Sequence, residues 1–250
     1  VFRVTLPPMI SSIGRSAFYN CEQLSEVNFT GTRLETIDDY AFYKCINLPS
    51  MNFGSKLTSV GNLSFAYCSS LQEITLPDTV QSIGVAAFYE CTNVKQLTLG
   101  QGVEVIGKGA FYNCVSIPSV VIPDSVKTIE DYAFSGCSAV TELDLGNGVE
   151  SIGNYAFRGL GALQSLVIPS SVRYIGDSAF RYCTMINSII LPGTVEQIGI
   201  HAFFEDVSAT IYSDGEGVVG GWVEYWNSSY CPVVFGCTFS EDGSYVVSVT

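Results

Sequence analysis

Charge is scarce in this sequence, and positive charge is scarcest. Only 14% of the 250 residues are Asp, Glu, Lys or Arg, well under the roughly 25% usual in soluble domains. Eleven Lys and Arg face 24 Asp and Glu, a formal charge of -13. So acidic a chain cannot neutralise phosphates, which excludes nucleic acid as a partner. No run of roughly 18 apolar residues occurs, so no segment is expected to insert into a membrane as a helix. Histidine occurs once, at His201. No metal-ligand spacing, phosphate loop or nucleophile elbow is present, so neither metal, cofactor nor catalytic residue is expected. No leader-like stretch opens the chain, which begins at Val1 and is expected to be mature or cut from a longer parent. What is abundant is apolar: 47% hydrophobic and 12% aromatic residues, enough for a large core and too much for a disordered chain. Ser, Thr, Asn, Gly and Tyr must then cover much of the surface.

The organisation is repetitive. A Phe, usually after Ala, recurs at Phe18, Phe42, Phe65, Phe88, Phe111, Phe134, Phe157, Phe180 and Phe203. The first step is 24 residues and the other seven are 23, the longer one accounted for by an insertion near Gly31 to Arg33. Four positions before each Phe stands Gly, except for Asp38 and Glu130. One before that is Ile or Val throughout. Three after the Phe is Cys in seven copies: Cys21, Cys45, Cys68, Cys91, Cys114, Cys137 and Cys183. Leu160 and Asp206 replace it elsewhere, and Ser64 replaces one Ala.

Segments such as Leu71-x-x-Ile74-x-Leu76-Pro77 alternate as strands do. A second extended piece follows, as in Val126-x-x-Ile129, and then x-x-Ala-Phe-x-x-Cys, expected to form about two helical or 3₁₀ turns. No such unit can bury its own apolar face, so the units are expected to stack as a right-handed solenoid of parallel strands. Nine circuits about 4.8 Å apart give a body roughly 40 Å long. The period falls in the range of leucine-rich repeats.

The unit Leu-x-x-Ile-x-Leu-Pro-x-Ser-Val-x-x-Ile-Gly-x-x-Ala-Phe-x-x-Cys resembles the BspA-like leucine-rich repeat family over residues 1–203. The resemblance implies a leucine-rich-repeat solenoid and a secreted or cell-surface protein of bacteria or parasitic protozoa. It also implies adhesion to host proteins or to other cells, and it carries no catalytic residues to transfer. Residues 204–250 leave the period and are expected to form a C-terminal cap. They hold seven acids and no Lys or Arg. Thr210 to Tyr212 is expected to add a strand. Trp222 and Trp226 share a face if that stretch is helical and would lie over the last turn as a lid. Pro232 to Phe235 and Tyr245 to Val249 read as strands, with Asp242-Gly243 as a hairpin turn. At the other end Val1, Val4 and Leu6 fall in the repeat with no polar cap, which is expected to mean removed upstream sequence or a neighbour.

The seven column cysteines are expected to form an inward ladder of thiols bonding to turn backbone, since side chains stacked in one direction do not converge into disulfides. Cys231 and Cys237 stand outside the column and can be a disulfide or two thiols. His201 sits at a turn position. The acid pairs Asp38-Asp39 and Glu130-Asp131 sit at turns and are expected to be solvated.

Two surface columns are candidates for binding. Ten residues after each Phe the outward strand position reads Val121, Asp144, Val167 and Ile190 in the later copies, expected to be an exposed, mostly apolar stripe. One after the Phe stand Tyr19, Tyr43, Tyr89 and Tyr112, with Tyr67 one position further on, either a contact surface or rings packed on the turn edge. The reading is a non-catalytic binding protein whose partner is a host or cell-surface protein or glycan. The alternative is a spacer or stalk within a larger surface protein.

Overall fold

The computed structural model describes residues 2–29, 33–205, 209–240 and 246–249. Asp206, part of the insertion near Gly31 and the Asp242-Gly243 turn lie outside them. The chain winds as a parallel solenoid of about ten rungs, each with three sides. On one side two-residue strands, from Ser12–Ile13 through Val105–Ile106 to Gln197–Ile198, form a nine-stranded parallel sheet in strict chain order. Their second residues, such as Ile13, Ile106 and Ile198, point into the core. The second side carries the Leu-x-x-Ile-x-Leu segments as short parallel pairs or groups. Among these are Ser119–Val121 on Glu142–Asp144, and Ser165–Val167 on Ser188–Ile190.

The third side corrects one expectation. The Ala-Phe-x-x-Cys turn is not helical, and no helix occurs among the described residues. Ala17, Tyr19 and Cys21 close successive turns onto the carbonyls of Gly14, Ser16 and Phe18. The amides between them turn outward along the axis: Ser16, Phe18 and Asn20 donate to Asp39, Ala41 and Tyr43 of the next rung at 3.0, 2.7 and 2.7 Å. Two left-handed residues per rung make this possible, at Ser16 and Asn20 (φ 56° and 57°), then Tyr40 and Lys44, Leu63 and Tyr67, and onward. A helix would consume every amide within its own rung. The left-handed positions cost energy in non-glycine residues, and the axial hydrogen bonds offset it.

The column Gly has a different cause. At Gly153 a Cβ would lie 2.5 Å from the backbone nitrogen of Asp131 in the rung before. At Gly14, at the open end, it would meet nothing within 4 Å. We therefore expect Gly153→Ala to destabilise by about 1–3 kcal/mol, as overpacking does, and Gly14→Ala to be near neutral. Equal urea midpoints for the two variants would refute this account.

Inside, the nine Phe rings stack in one file. Adjacent centroids lie 5.0 to 5.7 Å apart with planes within 12°. Phe42 to Phe203 are fully buried, and only Phe18 at the first rung is partly open. Trp226 closes the file edge-on to Phe203 at 6.1 Å, and Trp222 packs edge-on to Trp226 at 4.8 Å. The tryptophans cover the last rung as expected, but not from a helix. Trp222 bridges Ile198 in parallel, and Tyr225 and Trp226 accept from His201 and Phe203, as a tenth rung would. Thr210–Tyr212 and Val233–Val234 extend the second side. The chain then reverses, and Cys237–Phe239 pairs antiparallel with Val246–Val249. No helix of the described residues is long and apolar enough to cross a membrane.

Candidate functional site

The outward strand column, one of the two candidate surfaces, lies on the second side in altered form. Val121 is 57% exposed and Asp144 is exposed, while Val167 is half-buried and Ile190 only 7% exposed. The expected open stripe is therefore wrong at Ile190. Ile190 lies between Val167 and Tyr212 of the neighbouring strands, and the C-terminal strand returns nearby: Cys237 donates its N–H to Ser213 at 2.9 Å and Gly236 to Gly215 at 3.1 Å. These bonds aim Cys237–Phe239 beside Ile190 and make it the wall of a groove. Two depressions result. One, of about 420 Å³, is lined by Val121, Glu142, Asp144 and Val167 among others. The second, of about 910 Å³, runs from Asp144 and Val167 past Ile190 to Asp214, Thr238 and Phe239. Sharing Leu143, Asp144 and Val167, they form one continuous trough along the axis. Its carboxylates are Glu142, Asp144 and Asp214, and no Lys or Arg lines it among the described residues. Asp144 and Asp214 each accept one backbone N–H, from Gly146 at 2.9 Å and Gly193 at 2.6 Å.

The strand column of Val121, Asp144 and Val167 could be read in the sequence. The far wall and Asp214 could not be placed there, because they arrive from a segment without period. One signal existed: Trp226 falls 23 residues after Phe203, so the register persists beyond the last Ala-Phe.

The tyrosine column lies on the turn side, away from the trough. Tyr19 is 51% exposed, while Tyr43, Tyr89 and Tyr112 are half-buried. Tyr19 stacks on Tyr43 at 4.9 Å and Tyr89 on Tyr112 at 4.8 Å, with Tyr67 tilted between the pairs. Rings stacked face to face present edges to solvent. Lys44 caps two of them, its Nζ 5.7 Å from the centroids of both Tyr43 and Tyr67. Burial, with Glu90 nearby, pushes the Tyr67 and Tyr89 phenols up from their ordinary acidity.

The cysteines are all thiols. Cys45, Cys68, Cys91, Cys114, Cys137 and Cys183 each donate Sγ–H to the carbonyl of the Phe one rung earlier, at 3.2 to 3.3 Å. Cys21, in the first of the described Phe rungs, is half-buried. Burial pushes the Cys45 and Cys137 thiols up to about 12 and raises Cys91 and Cys114 well above the usual value. Such thiols are poor nucleophiles. Leu160 fits in the ladder because the carbonyl it leaves, that of Phe134, still accepts the Cys137 amide.

The acid pairs also have structural partners. Asp39, Asn62, Asp131, Asn154 and Asp177 form side-chain rungs, each accepting a backbone N–H from the next rung at 2.7 to 2.9 Å. Glu130 accepts from the Lys108 amide at 2.8 Å, where no Asx residue precedes. His201 Nδ1 lies 2.7 Å from Ser228 Oγ.

Repetitive sides and a continuous apolar file define a solenoid repeat protein. The BspA type leucine rich repeat region matches in six copies, over residues 2–117 and 104–213. The chain belongs to this BspA-type leucine-rich repeat family. Among solved structures it is similar to a leucine-rich repeat protein of Bacteroides ovatus, with a TM-score of 0.69 and 25% identity over 85% of this chain and 63% of that one. This chain thus spans less than two thirds of that protein's length. Further similarities are to a leucine rich cell surface protein of Faecalibacterium prausnitzii, with 25% identity, a TM-score of 0.48 and 86% and 73% of the two chains covered. A leucine-rich repeat protein of T. pallidum is similar at 29% identity and a TM-score of 0.48, over 69% and 70% of the chains. No curated protein matches the sequence.

Proposed function

We propose that this is a non-catalytic, secreted or surface-displayed binding protein whose partner docks in the trough on the second side. The supporting observation is the trough itself. It is a concave site of mixed lining, where Val121, Val167 and Ile190 alternate with polar residues such as Thr141, Asp144 and Ser165, and the C-terminal strand supplies its wall. Concave sites that combine apolar surface with placed polar groups are the usual form of binding sites. Family membership supports surface display and adhesion to a host or cell-surface protein or glycan. Ladders that stiffen every side favour the alternative of a spacer holding other domains.

The two readings separate in one experiment. The purified chain is screened on an array of extracellular-matrix proteins and mucin glycans, alongside Val121→Asn with Val167→Asn. Val121 is exposed and Val167 half-buried, so melting should fall by only a few degrees, about 1 kcal/mol or less per site, with the fold retained. A binding protein should lose about tenfold or more in affinity. Silence of the native chain on the whole array would favour the spacer.

A further inference from the structure

We infer that the occupant of the trough is an extended, cationic and apolar polypeptide segment, an inference that rests on the binding function proposed above. Length comes first. From Val121 to Asp214, which follows the Thr210–Tyr212 strand, the trough crosses four rung steps, roughly 20 Å at about 4.8 Å each, which is six or seven residues of extended chain. A globular surface would have to enter between the strand face and the Cys237–Phe239 wall, and a single extended strand is the thinner object.

Charge comes second. Glu142, Asp144 and Asp214 all border the trough, with no cation among its lining residues. No Lys or Arg follows Arg181 in the sequence, so none is supplied by the last 69 residues. Sulfated, sialylated or other acidic ligands would enter against this field, and a Lys- or Arg-bearing segment would enter with it. Along the axis Asp144 and Asp214 stand about three rung steps apart, roughly 14 Å, with Asp214 two residues further along its strand than the Asp144 column, so residues four or five apart in an extended chain can face both. The floor between them is apolar, at Val167 and Ile190. Glycans fit less well. Among the described residues Phe239 is the one aromatic side chain lining the trough, and the stacked ring faces of the tyrosine column lie on another side, already on each other.

The test uses fluorescein-labelled seven-residue peptides with valine and serine throughout and Lys, Gln or Glu at positions 2 and 6. They are titrated by anisotropy against the whole chain, against Asp144→Asn with Asp214→Asn, and against Val121→Asn with Val167→Asn. Asn keeps the carbonyl oxygen that accepts from Gly146 and Gly193, so the fold is retained, as melting would verify. The expected result is binding of the Lys peptide, weaker binding of the Gln peptide and least of the Glu peptide. Each lost carboxylate should weaken the Lys peptide roughly two- to five-fold, and added salt should do the same. Equal binding of all three peptides, or indifference to the Asp substitutions, would overturn the cationic assignment and leave a binding trough. Array binding that is lost in the Val variants, with no peptide bound, would overturn the peptide and keep the proposed function. If neither peptides nor array partners bind, both readings fall.

Discussion

Above pH 9 the solenoid is expected to unfold over a narrow interval. Five thiols in its middle, from Cys45 to Cys137, sit where burial raises their acidity constants, to about 12 at Cys45 and Cys137 and upward at the others. In the unfolded chain the same thiols titrate near the ordinary value of 9.0. Below that value both states hold the proton, and the burial of neutral thiols contributes its full stability. Between 9 and about 12 the unfolded chain sheds protons that the folded chain must keep, so stability falls as pH rises. Each thiol then costs about 1.4 kcal/mol at pH 10. Five together approach the whole stability of an ordinary domain, about 5–15 kcal/mol. Urea titrations at pH 7, 9 and 10, with reductant present, measure the loss. Cys91→Ala with Cys114→Ala should lower stability at pH 7 but flatten its fall above pH 9. A melting curve that ignores pH up to 10.5 would show that the ladder is not buried as described.

The second large effect lies in the phenylalanine file. Phe111 is fully buried, with Phe88 and Phe134 stacked on either side at 5.4 and 5.0 Å. Phe111→Ala should cost about 3–5 kcal/mol, since neighbours hydrogen-bonded on three sides cannot close the gap. Phe18→Ala, at the open first rung, should cost far less, under about 1 kcal/mol. The location of the damage can be read too. Rungs touch only their neighbours, so a hole at the middle should uncouple the two halves. Both tryptophans of the chain stand in the last rung. Tryptophan fluorescence therefore follows the C-terminal half, while circular dichroism follows all of it. In the native chain the two urea transitions should coincide, and in Phe111→Ala they should separate. Coinciding transitions in the variant would mean that cooperativity spans the cavity.

Much of this architecture could be read from one-dimensional spacing. The Phe, Cys and Ile columns mark inward positions, because a solenoid puts the same environment at the same phase of every rung. The turn conformation was not readable. Left-handed backbone usually advertises itself as Gly or Asn, yet here it falls on Tyr40, Leu63 and Ala86. Axial hydrogen bonds enforce it there against local preference. At the candidate site, Val121 and Asp144 were placed correctly as outward and exposed. Ile190 was not, since alternation says which way a side chain points and not what stands on either side of it. The strand that lines the groove beside it begins 47 residues further on, at Cys237, in a segment whose pairing no period announces.

The bonding along the axis also divides the residues by what inheritance can do with them. Amides at the turns, the Phe file and the column glycines answer to the rungs on either side, so a change there must be matched by its neighbours. Outward positions such as Val121 answer to no neighbour. Duplicating or deleting one 23-residue unit restores every axial bond pair at the new junction, because each rung offers the donors and acceptors of the one it replaces. A lineage built this way can redraw its surface residue by residue, or lengthen it by whole units, without reopening the folding problem. Only the C-terminal strand beside Ile190 is fixed in place, and it ties the trough to the last rungs however many precede them.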